Sequence, residues 1–313
     1  MPPLSLSSMT RPKSILLATD LNDLNFLLPV AVEQAKVTGS MLWLLHVIPP
    51  TAYVSTTSGE YPTGLKEKAF REAEATLAGV ALQLKEQKVP CAYEVRRWYA
   101  AEQVKEFIRE RGIERLLVGT ASRGKLGKLL LGSVAEELIR SVEIPVCTVG
   151  PNYKPLPQNS PRRVIFATSL RHHPEQSLHF AVDLAARWLA ELTVMHVTEQ
   201  DRYDEGLEAG ARSKIEELLR GATEMHMTPH VRIRGGEPAE EILSACTALN
   251  PQWLVMSAVP ASAVASNFRS GVAYRVIAQA PCPTFTLRSG PRTRRNGTYR
   301  EFSTMQTSSS YPG

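Results

Sequence analysis

The stretch from Gly119 to Ser133 reads Gly-Thr-Ala-Ser-Arg-Gly-Lys-Leu-Gly-Lys-Leu-Leu-Leu-Gly-Ser and carries the residue types that hold a phosphate. Glycine at the end of a strand lets backbone N–H groups approach an anion with no Cβ in the way. Gly132 and Ser133 open a predicted helix, whose first N–H groups and dipole favour negative charge, and the Ser133 hydroxyl is a further donor. Arg123, Lys125 and Lys128 bring positive charge into the same loop. Asp20 stands just past the first predicted strand, within Asp20-Leu21-Asn22-Asp23. A plainer reading stands beside each. The loop is a solvated Gly/Lys segment capped by Ser133, and Asp20, with Asn22 and Asp23, caps the helix that follows.

Other candidates carry less chemistry. His226 and His230 are four apart, as a helical metal pair would be, but Pro229 between them at the start of a β-rich run favours a surface turn. His172-His173 read as a loop before a helix, and His46 and His196 recur at matched strand ends, which points to a structural role first and pocket lining second. The four cysteines, Cys91, Cys147, Cys246 and Cys282, show neither CxxC nor zinc spacing and read as reduced, mostly buried small apolar groups. No Ser/His/Asp, Cys/His or paired-carboxylate spacing argues for a nucleophile or an acid–base pair.

The elements that would position these residues occur twice. Ser14–Leu21 (SILLATDL) returns as Arg163–Leu170 (RVIFATSL), and Leu45-His46-Val47 returns as Met195-His196-Val197. Leu116–Gly119 matches Leu254–Ser257, and Ile144–Val149 matches Cys282–Leu287, all in the same order. In the first copy, near-continuous apolar runs predict strands at 14–19, 41–48, 91–97, 114–119 and 145–149. Helices are predicted at 24–38, 64–88, 100–111 and 132–142, and in the second copy at 174–189, 205–221, 237–249 and 271–280. Ala69, Ala73, Leu77, Val80, Ala81 and Leu84 form the inner stripe of one of them. Strict alternation implies right-handed crossovers and open, mostly parallel sheets with helices on both faces, an α/β class of two doubly wound domains. The expected domains are 13–150 and 163–288, joined by a Pro-rich linker at 151–162 and flanked by structureless ends at 1–12 and 289–313.

The loop of the first copy resembles the nucleotide loop of the universal stress protein family, Gly-x2-Gly-x9-Gly-Ser/Thr. Gly119 holds its first position, Ser122 stands where the second glycine is expected, and Gly132 and Ser133 hold the last pair, followed by Val134-Ala135-Glu136. The resemblance spans residues 13–288, so the chain looks like a tandem universal stress protein. It implies an adenine nucleotide alpha hydrolase-like fold and a site for ATP or a related adenine nucleotide, with Mg2+, in the first copy. There Asp20 would hold the adenosine end and the backbone near Val47 would line the base pocket, with Gly119, Ser122, Arg123, Gly132, Ser133 and Val134 around the phosphates. It further implies that strands 145–149 and 283–287 pair antiparallel, making an intramolecular pseudodimer that covers two sheet edges. In the second copy Ser257, Pro260 and Ser270 stand at the three glycine positions, Pro260 has no N–H to give, and Ser169 replaces Asp20. A phosphate site is not expected there.

Composition sets the outer limits. With 43% hydrophobic and 21% charged residues, the chain is neither disordered nor fibrous. No apolar run approaches the roughly 18–20 residues that cross a bilayer, and the Ser/Pro-rich start lacks the order of a secretory signal, so a cytoplasmic location without membrane contact is expected. The net charge of +5 sits largely at the ends, in Arg11, Lys13 and the four arginines against one glutamate after Gly290. The body is near neutral, which argues against nucleic acid. The expected function is a stress-response sensor or interaction platform, open to a homo-oligomer or a protein partner. The alternatives are a ligand-free interaction module and, third, a slow ATPase without an evident base.

Overall fold

A computed structural model describes residues 9–50, 63–120, 131–157, 159–170, 174–198, 205–221, 227–258 and 271–288. The first repeat runs β1 (Ser14–Thr19), α1 (Leu24–Thr38), β2 (Met41–Ile48), α2 (Thr63–Glu86), β3 (Cys91–Arg97), α3 (Ala100–Arg111), β4 (Arg115–Gly119), α4 (Ser133–Ser141) and β5 (Val146–Val149). The second runs β6 (Arg163–Ala167), α5 (Glu175–Trp188), β7 (Glu191–Thr198), α6 (Glu205–Gly221), β8 (His230–Gly235), α7 (Pro238–Leu249), β9 (Trp253–Ala258), α8 (Val272–Gln279) and β10 (Thr284–Arg288). The predicted elements are present to within two residues at each end. The largest shift is in α2, which stops at Glu86 because Lys88 turns into the left-handed region at φ 59.

The ten strands among the described residues lie in one sheet, ordered β3-β2-β1-β4-β5-β10-β9-β6-β7-β8. Every pairing is parallel except β5 with β10, where Thr284, Phe285 and Thr286 face Thr148, Cys147 and Val146 antiparallel. Each repeat therefore supplies half of a continuous sheet, and neither β5 nor β10 is an open edge. The outer edges, β3 and β8, carry Glu94, Arg96, Arg97, Arg232 and Arg234, charges that discourage further pairing.

Successive strand residues face opposite sides of the sheet. Ile15 and Leu17 enter a core beneath α1, α2, α5 and α6, whereas Leu16 and Ala18 enter one beneath α3, α4 and α8. Both cores cross from one repeat to the other. The first joins Leu27, Val30 and Cys147 to Phe180, Trp253 and Phe285, and the second brings Tyr274 and Ile277 of α8 against Leu138 and Ile139 of α4.

The N-terminal stretch corrects one expectation. Residues 9–12, expected to be structureless, pack into the seam between the repeats: Met9 and Thr10 are buried, and the Met9 carbonyl accepts from Arg115 Nη2 at 2.7 Å. Gln176 donates to Met9 Sδ at 3.3 Å. Residues 1–8 and the tail 289–313 lie outside the described residues.

Candidate functional site

In each repeat the chain order reverses between the first and fourth strands, and in such sheets ligands bind beyond the carboxyl ends at that switch. In the first repeat this is where β1 and β4 end, with Ala18 paired to Val118 as their last partners. Beyond it, β4 closes on Gly119, and Thr120 turns inward, its N–H bonded to the Val149 carbonyl at 3.0 Å. The chain leaves at residue 121 and is back at Leu131. The Gly132 N–H then bonds the Thr120 carbonyl at 3.1 Å, which pins the two ends of the loop together. Gly119 and the Gly132-Ser133-Val134 helix start are thus brought to one place. Ser122 and Arg123, with Lys125 and Lys128, lie outside the described residues.

Gly132 occupies the N-cap of α4 in ordinary extended backbone (φ −63, ψ 146) and, lacking a side chain, gives the helix no side-chain cap. Ser133 is therefore the first helical residue and not the cap. Both Ser133 and Val134 are exposed, so the helix start faces outward, and among the described residues no side chain caps it. The side chain of Val47 is buried, so that residue can offer only backbone. β2 outruns β1: the last β1 partner is His46 opposite Thr19, and Val47 and Ile48 continue against β3 alone. A shelf of strand backbone remains beside the end of β1.

Asp20 is exposed at that end, and its carboxylate accepts from the Asn22 N–H at 2.8 Å and the Asp23 N–H at 3.2 Å. It ties off the turn before α1 and does not cap the helix. Asp23 is at the N-cap but makes no capping bond with its side chain. Its carboxylate turns inward to accept from the Thr19 hydroxyl and sits above Gly119, where a Cβ would come within 2.5 Å of Asp23 Oδ2. A side chain at 119 would therefore displace the Asp23 carboxylate.

Burial, followed by the neighbouring Asp20 charge, pushes the Asp23 carboxyl up to about 6, against the lowering effect of the Thr19 hydroxyl. Since that value lies above the 3.8 of an unperturbed group, the protonated form is favoured by folding. The stability it provides is full at low pH and is lost as pH rises through 6. Asp23→Asn is accordingly expected to gain on the natural chain by about 2 kcal/mol between pH 4.5 and 7.5, at 1.36 kcal/mol per unit, read from urea unfolding at several pH values. A difference independent of pH would show that Asp23 is ionised throughout.

The second repeat keeps the frame and changes the lining. Leu21 (φ 71) and Leu170 (φ 57) share a left-handed turn, each donating its N–H to the hydroxyl of Thr19 or Thr168. His46 and His196 each place Nδ1 within 2.9 Å of the same threonine's carbonyl, a structural role in both copies. Where Gly119 stands under Asp23, the second repeat has Ser257 bonded to Ser177 at 2.9 Å. One expectation is corrected here. The helix-cap position of Gly132 is matched by Gly271 (φ −75, ψ 154) and not by Ser270, and Val272 takes the place of Ser133. His230 opens β8, so it lies on a strand and not a helix, while His226 lies outside the described residues.

A cavity of about 780 Å³ opens beyond β5 between residues 151–157 and α7, but none of the predicted site residues lines it. Among the described residues no group of three or more His, Cys, Asp or Glu could hold a metal ion, and no helix is long and apolar enough to cross a membrane.

Two repeats ordered 3-2-1-4-5, joined through their last strands and carrying a pinned glycine loop at the first switch point, define a tandem doubly wound α/β protein. The chain belongs to the universal stress protein family, whose sequence model matches residues 12–150 and again 161–288. A universal stress protein of Methanocaldococcus jannaschii is 25% identical over 138 residues, which is 44% of this chain and 81% of that protein. The crystal structure of a universal stress protein from Archaeoglobus fulgidus superposes with a TM-score of 0.70 at 20% identity, covering 89% of this chain and 99% of the other. A functionally unknown protein from Pseudomonas aeruginosa gives 0.64 at 18% identity, over 90% and 95% of the two chains. At these identities the structural likeness speaks for the fold.

Proposed function

We propose that the first repeat binds ATP or a related adenine nucleotide and that the chain acts as a stress-response sensor or interaction platform, with no nucleotide in the second repeat. The observation that carries this reading is the Gly132-to-Thr120 bond, which sets Gly119 together with a helix start that no side chain among the described residues caps, at the switch point. In this reading Gly132, Ser133 and Val134 meet the phosphates, with Ser122 and Arg123 completing the loop. Asp20 holds the adenosine end and the Val47 backbone lines the base. Mg2+ would come with the phosphates and be held mainly by them and by water, as such ions commonly are. In the second repeat Ser257 and Val272 replace Gly119 and Ser133, which removes the close approach and the hydroxyl donor.

The test is mass spectrometry of the supernatant from freshly purified, heat-denatured protein. Adenine nucleotide is expected from one site per chain, and none from Gly132→Val. Because Gly132 has backbone angles open to any residue, that variant folds while its branched side chain stands over the helix start. Protein free of nucleotide, with no thermal shift in millimolar ATP and Mg2+, would replace this reading with that of a ligand-free interaction module.

A further inference from the structure

We propose that Trp98 is the platform on which the base of the bound nucleotide stacks, an inference that rests on the nucleotide reading above and adds a residue to it. Trp98 follows β3 directly, and its N–H bonds the Ile48 carbonyl at 3.0 Å, so it stands at the carboxyl end of the sheet one strand from Val47. β1, with Asp20 at its end, is two strand spacings away, about 10 Å. A base held over the free end of β2 is within reach of the indole.

Three features mark this tryptophan as more than filler. It is 55% exposed, so it is not there to fill a core. Its φ of 116 belongs to a region that side chains rarely adopt, and the equivalent residue of the second repeat, at φ 136, is Gly236. The same turn, with the same N–H bond back to the preceding strand (Gly236 to Thr198, 3.0 Å), is thus made without strain by glycine where no nucleotide is proposed. Finally, Tyr99, itself 41% exposed, meets the indole in a T-shaped contact with centroids 5.4 Å apart, which holds the exposed ring in place. Strained backbone kept at an exposed aromatic is the pattern of a ligand contact, and aromatic faces take bases with little regard to hydrogen-bond pattern.

Calorimetric titration of the full chain with ATP, and separately with inorganic tripolyphosphate, tests the proposal. Trp98→Gly is expected to weaken ATP binding by about tenfold and to leave tripolyphosphate binding unchanged, whereas Trp98→Phe stays within about threefold of the natural chain for both. The glycine variant takes the backbone that Gly236 already shows, so it folds. ATP affinity unchanged in Trp98→Gly, or tripolyphosphate lost along with ATP, would overturn the stacking role while the nucleotide site stands. Absence of binding by the natural chain to either compound would overturn the nucleotide reading itself and this inference with it.

Discussion

Arg115→Ala is expected to lower the unfolding free energy by about 4 kcal/mol, from the cavity left by a large buried side chain and from two orphaned acceptors. Arg115 opens β4 and is 1% exposed. Among the described residues it has no carboxylate partner. Nη1 donates to Gln34 Oε1 at 2.9 Å and Nη2 to the Met9 carbonyl at 2.7 Å, while the guanidinium lies 5.1 Å from the Phe285 ring centre and 5.7 Å from that of Phe180. Burial brings its pKa down to about 10, so it remains charged at neutral pH. One side chain therefore ties α1, the N-terminal segment and two aromatic rings of the second repeat. Lysine cannot replace it, because a single ammonium has neither the planar fork nor the flat face. Arg115→Met refills the space but leaves both carbonyl oxygens unpaired, and is expected to cost about half as much. Urea unfolding measures both. Loss of less than about 1 kcal/mol in the alanine variant would mean that desolvation of the charge offsets everything it holds.

This residue shows where the sequence stops being informative. Its neighbour Glu114 and the following apolar run make Arg115 look like the solvated first residue of a strand. Its position in the second repeat is held by Trp253, paired to Val164 as Arg115 is to Ile15. Only the joining of the two sheets turns that position inward, and no local pattern announces it. The strands themselves were legible because each is a short apolar run bounded by polar, Gly or Pro residues. The duplication was legible because four segments recur in order. The glycine and serine spacing located the loop whose ends the fold pins together.

Asp23 was less legible, since an aspartate before a helix looks like a cap. Its inward turn depends on the hydroxyl of Thr19 and on the missing Cβ of Gly119, two strands' contributions that the sequence separates by a hundred residues. The cap role of Gly271 was hidden by a loop one residue longer than its counterpart, which shifts a match made by counting. Trp98 gave no signal as a motif; it stands out only once its φ and exposure can be set beside those of Gly236.

The joined core also leads to an expected loss of about 4 kcal/mol in Phe285→Ala, within the range for buried phenylalanine. Phe285 lies on β10 opposite Cys147, in the one antiparallel pairing of the sheet among the described residues. The two occupy equivalent positions of the two repeats, so a large ring from one half meets a small thiol from the other across the seam. The ring packs edge-on against Phe180 at 5.0 Å and tilted against Trp253 at 5.4 Å, and it carries the Arg115 guanidinium. Removing it opens a void in a core both halves share. Phe285 and Arg115 also serve one another: the ring covers the buried charge, whose partners among the described residues are neutral oxygens and aromatic faces. The double variant is therefore expected to lose less than the two single losses together, by about 1 kcal/mol or more, as contacting residues commonly do. Strict additivity in that cycle would show that the cation and the ring stabilise the seam independently, and that the two halves are held by β5–β10 pairing and aliphatic packing alone.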